Sequence, residues 1–298
     1  MCGIVGLFLK DKSMEPQLGA LLSEMLVSMT DRGPDSAGIA IYGAGDGKHS
    51  KITIQSAAPE RDFAGLDKDL GAKLGADVSL VAKSTHAVIE VPTAKLDAAR
   101  EALAELRPDV RIMGSGDVIE IYKEVGLPAD VVERFALAKM TGTHGIGHTR
   151  MATESAVTTL GAHPFSTGPD ECLVHNGSLS NHNNLRRELK RDGMKFETEN
   201  DTEVAAAYLS NKMAHGMNLG QALEAGLSDL DGFFTFVVGT KDGFGVVRDP
   251  IACKPAVLAE TDRYVAFGSE YRALANLPGI EDAKIWEPEP SKVYFWEH

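Results

Sequence analysis

At the start of the chain, the spacing of apolar residues predicts a strand, a helix and a second strand. The apolar run from Gly3 to Phe8 is short, which is typical of a buried strand. From Pro16 to Met29 the apolar residues fall three and four positions apart, as they do on one face of a helix. A turn-like polar cluster at 31–35 ends this helix, and Gly38 to Tyr42 resumes as a strand.

A separate strand, helix and strand pattern follows at about 78–125. Residues 79–91 predict a strand, helical spacing of apolar residues continues over 93–107, and residues 118–122 predict another strand. Such a unit usually closes as a right-handed crossover. We therefore expect one domain of residues 1–298 that carries an inserted β-α-β subdomain at about 78–125.

The later half of the chain is richer in strands. Two helices are predicted near 181–191 and 202–213. Strands are predicted at 145–150, 171–175, 232–239, 243–249, 256–259, 264–268 and 291–296. Many strands interrupted by a few helices indicate sheets covered by helices, in an α/β or α+β architecture.

Composition and charge narrow the classes of function. The 298 residues are 43% hydrophobic and 24% charged, as in ordinary globular proteins. A formal net charge of −13 repels a phosphate backbone, so we expect no nucleic-acid partner. No apolar run approaches the roughly 18 residues of a membrane helix, and no basic region precedes the first apolar run. We expect no membrane association and a soluble, cytoplasmic protein.

Three cysteines without a CxxC pair argue against a disulfide framework and a zinc site, so neither a metal nor a cofactor is predicted. Cys2 is the most informative of the three. Removal of Met1 would leave a residue with both a thiol and a free α-amine, whose ordinary pKa of about 7.7–8.0 suits it to accept the thiol proton. The alternative is that a cysteine at this position is incidental.

Five segments in order then resemble the glutaminase domain of class II glutamine amidotransferases, which are N-terminal nucleophile hydrolases. They are Cys2-Gly3-Ile4-Val5-Gly6, Arg32-Gly33-Pro34-Asp35-Ser36-Ala37-Gly38, Gly147-His148-Thr149-Arg150-Met151-Ala152-Thr153, His175-Asn176-Gly177 and Asn200-Asp201-Thr202-Glu203. The resemblance implies an α+β, four-layer αββα sandwich of two mainly antiparallel sheets. It also implies hydrolysis of L-glutamine to L-glutamate and ammonia by Cys2.

The resemblance also assigns roles to individual residues, each with a plainer alternative. Arg150 and Thr153 bind the α-carboxylate of glutamine, although Arg150 alone would read as a surface arginine at a strand end. Asn176 and Gly177 form the oxyanion hole, although Asn-Gly is also a common hairpin turn. Asp201 binds the α-ammonium group, although an aspartate there would also serve as a helix N-cap.

Two further residues complete the predicted substrate site. His163 matches a pocket-lining position, and a core histidine is the alternative. Arg32 resembles the arginine that orders the nucleophile region, although an arginine at a helix C-terminus is also favoured by the helix dipole. Met151 and Glu154 depart from the residues usual in the family. These two positions bear on how the site closes and on how it is coupled to an ammonia acceptor.

The chain ends soon after the last glutaminase-like segment. We therefore expect a separate glutaminase subunit in a hetero-oligomer with an ammonia-accepting synthase subunit, as in systems of the glutamate synthase or N-methylglutamate synthase type. Two alternatives remain at this point. One is an N-terminal cysteine amidohydrolase of another specificity, and the other is a catalytically idle regulatory subunit with the same fold.

Overall fold

A computed structural model describes residues 1–152 and 156–298 of the chain. The helices are α1 (Leu18–Ser28), α2 (Pro59–Asp62), α3 (Leu66–Leu74), α4 (Leu96–Leu106), α5 (Pro128–Arg134), α6 (His182–Arg191), α7 (Asp201–Ala214) and α8 (Leu219–Asp229). The strands are β1 (Gly3–Leu9), β2 (Ser36–Tyr42), β3 (His49–Gln55), β4 (Ser79–Lys83), β5 (His86–Pro92), β6 (Arg111–Gly116), β7 (Ile119–Val125), β8 (His144–Arg150), β9 (Cys172–Leu179), β10 (Gly232–Gly239), β11 (Gly243–Arg248), β12 (Val257–Glu260), β13 (Tyr264–Gly268), β14 (Lys284–Trp286) and β15 (Val293–Glu297).

The first sheet has seven strands, in the order β14-β12-β13-β1-β8-β2-β7. Its described pairs are antiparallel, and β1 lies in the middle between β13 and β8. Every residue of β1 is buried. The N-terminal strand is therefore fixed on both edges, and the residue just before it is held at the end of the sheet.

The second sheet has the antiparallel order β15-β11-β10-β9 and packs against the first. Because side chains alternate along a strand, Ile4 and Phe8 of β1 join Val174 and Val237 in the core between the sheets. Val5 and Leu7 face the opposite way and pack with residues of α1.

On the far side of the second sheet, α7 and α8 form a third core with β9 and β10. The helix, sheet, sheet and helix layers confirm the predicted four-layer α+β sandwich. None of the helices in the two described ranges is long and apolar enough to cross a bilayer.

A third sheet, in the order β4-β5-β3-β6, has its own core with α3 and α4. Both β5 and β6 pair antiparallel with β3, so they run parallel to each other and α4 connects them. A strand, helix and strand order is present as β5, α4 and β6, but β6 is not the strand predicted at 118–122. The assignment of residues 1–298 to one domain with an insertion stays a prediction.

The bounds of this unit differ from the predicted 78–125. Its sheet begins at His49 and ends at Gly116, and the predicted strand at 118–122 is β7 of the first sheet. β6 was not predicted from the sequence because it contains glycine, which is rare in strands. An added Cβ at Gly114 would lie 2.8 Å from Ile121 Cδ1 of β7, so a larger residue there would require the end of that side chain to shift.

Candidate functional site

Cys2 lies just before β1 and is partly buried. Gly3 pairs with Thr149 of β8, so Cys2 comes to lie beside Arg150 where the two strands end. The Cys2 thiol is 4.0 Å from the Met151 carbonyl oxygen. A Cβ on Gly3 would lie 2.7 Å from Thr149 Oγ1, so only glycine allows this close approach of the nucleophile strand.

The carbonyl oxygen of Cys2 accepts two side-chain hydrogen bonds. Arg32 Nε donates at 3.0 Å and Asn176 Nδ2 donates at 3.1 Å. Arg32 follows α1, and Asn176 lies on β9 of the second sheet. The hydrogen bonds therefore join the nucleophile to both sheets, and the ordering role of Arg32 stays a prediction.

Arg150 is the last residue of β8 and is 6% exposed. Its backbone carbonyl accepts from Asp35 N–H at 3.1 Å, and its Nη1 donates to the Ala156 carbonyl at 3.3 Å. The Asp35 carboxylate in turn accepts from Ala152 N–H at 2.7 Å. These contacts fix the strand end that carries the guanidinium. Thr153, predicted beside Arg150, lies outside the described residues.

Gly177 occupies a backbone position that excludes other residues. Its φ is +154°, and an added Cβ would lie 2.0 Å from the Phe233 carbonyl oxygen of the neighbouring strand. The Asn-Gly pair is not a hairpin turn here, because both residues lie within β9 and pair with β10.

Asp201 is the first residue of α7, and the predicted N-cap role is wrong. Asn200 is the N-cap, with its Oδ1 accepting from Thr202 N–H at 2.9 Å. Asp201 Oδ2 instead accepts from Leu179 N–H at 2.9 Å, at the end of β9, and Oδ1 lies 3.7 Å from His175 Nδ1. Burial raises the pKa of Asp201, but His175 and the Leu179 N–H outweigh it and lower the pKa to about 2.

His163 belongs to a buried group of three histidines behind Asn176 and Asp201. Its Nε2 lies 2.8 Å from Thr202 Oγ1, which also lies 3.0 Å from His175 Nδ1. The rings of His163 and His148 stack at 4.0 Å. His163 is 5% exposed and packs against the first turn of α7.

The sequence motifs contained the other members of this group without indicating that they meet. His148, His175 and Thr202 each stand next to a predicted site residue or within two positions of one. Because adjacent residues on a strand face opposite ways, His175 points toward α7 whereas Asn176 points toward Cys2. This alternation of side chains along the strand is the feature of the sequence that could have predicted the group.

Comparison with known proteins identifies the family. The chain is 73% identical over 298 residues to the glutamine amidotransferase-like protein GlxB of Rhizobium meliloti, covering 100% of this chain and 99% of the relative. The chain belongs to the class II glutamine amidotransferase family. A putative glutamine amidotransferase of Methanothermobacter thermautotrophicus is 33% identical over 309 residues, covering 99% of each protein.

Two further comparisons agree with this family. Residues 148–276 match a family model described as a glutamine amidotransferase domain. The fold of this amidotransferase superposes on the glutamine phosphoribosylpyrophosphate amidotransferase of B. subtilis with a TM-score of 0.62 at 20% identity, over 99% of this chain. The chain spans about half of that longer structure, 47% of its length. At this identity the likeness shows the fold.

Buried histidines make the fold of the amidotransferase sensitive to acid. Burial lowers the pKa of His144 and of His148 to about 3, and that of His86 to about 4. In the unfolded chain a histidine titrates near pH 6.5. Between these values the unfolded chain binds more protons than the folded chain. The stability these residues contribute is therefore complete above about pH 6.5 and is lost as the pH falls toward the folded-state pKa.

We expect the free energy of unfolding, measured with urea, to fall below about pH 6.5 by up to ~1.4 kcal/mol per pH unit for each such histidine. His148→Gln should reduce this slope by one histidine's share. His215→Gln, at an exposed position on the surface, should leave it unchanged. An unfolding free energy that stays flat from about pH 7 to pH 5 would contradict the assignment of neutral buried histidines.

Proposed function

We propose that this amidotransferase hydrolyses L-glutamine through the Cys2 thiol once Met1 has been removed, and that it passes the ammonia to a separate synthase subunit. The observation that carries the proposal is the meeting of Cys2, Arg150 and Asn176 where β1, β8 and β9 come together. Asn176 Nδ2 lies 3.1 Å from the Cys2 carbonyl oxygen, and Arg150 follows the residue paired with Gly3.

In the proposed complex, Arg150 and Asp201 bind the two charged groups at the α-carbon of glutamine. A guanidinium presents a planar fork of donors that suits a carboxylate, and Arg150 is anchored by its backbone and by the Ala156 carbonyl. Asp201 stays ionised because its pKa is lowered to about 2, so it offers a carboxylate to the ammonium group. Thr153 would add a hydroxyl to the carboxylate subsite.

In the proposed mechanism Asn176 has two tasks, because its amide carries two N–H donors. One donor holds the Cys2 carbonyl, as described above. The other is available for the oxyanion of the tetrahedral intermediate, together with the backbone N–H of Gly177. Donors fixed before the reaction stabilise developing charge at no cost of reorganisation.

The chemistry proceeds in two proposed stages. The free α-amine of Cys2 takes the thiol proton, and the sulfur attacks the side-chain amide carbon of glutamine. When the tetrahedral intermediate collapses, the C–N bond breaks and the amine returns a proton to the departing ammonia. A water molecule then attacks the γ-glutamyl thioester, giving glutamate and regenerating the thiol.

A separate acceptor subunit is the finer part of the proposal. The two full-length relatives are matched over 99% of their own lengths, which leaves no length for an acceptor domain in those chains. We infer that the ammonia is used by a partner synthase of the glutamate synthase type, in a hetero-oligomer. Co-purification that yields only free monomer with full, unregulated glutaminase turnover would argue against a partner.

The mechanism requires a free amine on Cys2, which gives a direct test. A form with an N-terminal leader that ends immediately before Cys2 should release glutamate at less than about 1% of the rate of the mature enzyme, because the leader locks the base in a peptide bond. Removing the leader with a site-specific protease should restore the rate. Equal glutamate release before and after cleavage would refute the proposal.

A further inference from the structure

Three ion pairs join four charged residues beside the nucleophile, and the proposed mechanism leaves three of these residues without a task. Asp31 and Arg32 follow α1, and Glu270 and Arg272 follow β13. Glu270 Oε1 lies 2.5 Å from Arg32 Nη1, and its Oε2 lies 2.8 Å from Arg272 Nε. Arg272 Nη1 lies 3.1 Å from Asp31 Oδ2, and the backbone between the adjacent residues Asp31 and Arg32 closes what we call the charge ring.

One member of the charge ring, Arg32, contacts the Cys2 carbonyl oxygen. Arg32 uses Nη1 for Glu270 and Nε for that carbonyl, at 3.0 Å. A planar guanidinium that is bonded at two of its nitrogens cannot turn about its own axis without breaking one of them. The carboxylate of Glu270 therefore determines the direction in which Arg32 Nε donates.

The backbone of the same segment is bonded directly to β1. Ile4 N–H donates to Ser269 Oγ at 2.9 Å, and Ser269 N–H donates back to the Ile4 carbonyl at 2.9 Å. The segment that carries Glu270 is thus fixed relative to Cys2 by two hydrogen bonds that do not involve the ring. Substituting Glu270 alters the direction of Arg32 while this backbone frame stays in place.

The direction of the Arg32 Nε donor matters because Cys2 begins the chain once Met1 is removed. Once Met1 is removed, Cys2 is covalently held only through its carbonyl carbon. Its thiol and its α-amine both pivot on the Cα that the peptide plane positions. Hydrogen bonds to the carbonyl oxygen are consequently what orients the nucleophile and its base toward the substrate.

We infer that Glu270 and Arg272 are positioning residues for the Cys2 nucleophile, acting through Arg32; the inference rests on the proposed function. Glu270 aligns the guanidinium, and Arg272 holds the second oxygen of Glu270. Neither residue lies in the proposed clamp for glutamine, which consists of Arg150, Thr153 and Asp201. Their substitution should therefore slow the attack by sulfur while leaving the affinity for glutamine nearly unchanged.

Burial separates this positioning role from a purely structural one. The side chain of Arg32 is 9% exposed, whereas those of Glu270 and Arg272 are 36% and 43% exposed. Ion pairs between exposed partners contribute little to folding. The Glu270–Arg272 pair joins such partners, so we expect Arg272→Gln to unfold within about 3 °C of the parent protein. Glu270→Gln removes the charge opposite the buried Arg32, so its thermal unfolding is measured beside kcat and compared with that of Glu260→Gln.

The test uses the full chain with a free Cys2 and measures glutamate release under steady-state conditions. Glu270→Gln should lower kcat by about tenfold or more, since a misplacement of roughly 1 Å costs up to about 10²-fold. The KM for glutamine should change by less than about twofold, because substrate-binding groups are unaltered. The rate of covalent labelling by the diazoketone analogue of glutamine should fall in parallel with kcat.

Glu260→Gln is the matched control. Glu260 pairs with Lys10 at 2.5 Å, with side-chain exposures of 30% and 31%, and belongs to no part of the site. Glu260→Gln should leave kcat unchanged. Arg272→Gln should lower kcat by roughly two- to fivefold in the parent and should add nothing in the Glu270→Gln background, because Arg272 acts only through Glu270.

Three results would overturn the inference. They are a kcat for Glu270→Gln equal to that of Glu260→Gln, an increase in KM at constant kcat, and a full additional loss from Arg272→Gln in the double variant. If the parent itself releases no glutamate, the proposed function fails and the inference falls with it. If the parent is active and Glu270→Gln matches the control, the inference alone fails.

Discussion

Replacing Cys2 by alanine should lower glutamate release by at least about 10⁴-fold in kcat, because loss of a covalent nucleophile removes the reaction path itself. Alanine keeps a small residue after Met1 and keeps the α-amine, so only the sulfur is lost. The Cys2 carbonyl, which Arg32 and Asn176 bind, is also retained. The measurement is glutamate formed from glutamine, read with a glutamate dehydrogenase coupling assay.

Cys253→Ala is the control for this substitution. Cys253 is an exposed free cysteine, so its loss should leave both turnover and stability unchanged. Cys172 is unsuited to this purpose. Its thiol is buried, lies 3.2 Å from Tyr42 Oη and has a pKa that burial raises to about 12. Residual turnover of Cys2→Ala within about tenfold of the parent would contradict the nucleophile assignment.

Asn176→Ala should lower kcat by about 10²–10³-fold, the usual cost of losing one oxyanion donor. This substitution also removes the donor at 3.1 Å from the Cys2 carbonyl, so part of the loss would come from a less ordered nucleophile. The KM for glutamine should change little, because Arg150 and Asp201 are untouched. Steady-state kinetics that separate kcat from KM provide the measurement.

Asn183→Ala is the matched control for Asn176→Ala. Asn183 lies exposed on α6, outside the site, and its truncation should affect neither kcat nor KM. Thermal unfolding of both variants checks that the buried position 176 still folds. A fall in kcat/KM that comes entirely from KM would mean that Asn176 binds glutamine in the ground state and is not an oxyanion donor.

The layers of the fold follow from patterns that are local in the sequence. The fully apolar β1 and the helical spacing of Leu22 and Leu26 require burial on particular faces, and the four-layer sandwich satisfies both. Elements with weak local signals were not predicted. One is α8, whose start is nonetheless marked by a capping box of Asn218 and Gln221.

The third sheet was only partly predictable because its pairing is not local. β3 lies between β5 and β6, although it precedes both by more than thirty residues. Nothing in the neighbouring sequence indicates such a partner. The predicted strand at 79–91 is a hairpin that turns at Ser84, where φ is +56°. Serine rarely adopts that conformation, so no conventional turn signal marks this position.

For the candidate site, the motifs predicted which residues meet but not how they are supported. Cys2, Arg32, Arg150 and Asn176 lie together as expected. The contact of Asp201 with Leu179 N–H depends on where β9 ends relative to α7, which no spacing in the sequence specifies. The roles of these residues in glutamine hydrolysis stay predictions until variants are assayed.

Peptide mass spectrometry after reaction with the diazoketone analogue of glutamine shows whether Cys2 is the N-terminal nucleophile. We expect a single covalent adduct on a peptide that begins with Cys2, with Met1 absent, and protection of that peptide by excess glutamine. A labelled peptide that still carries Met1, or an adduct on Cys253 with Cys2 unmodified, would contradict it.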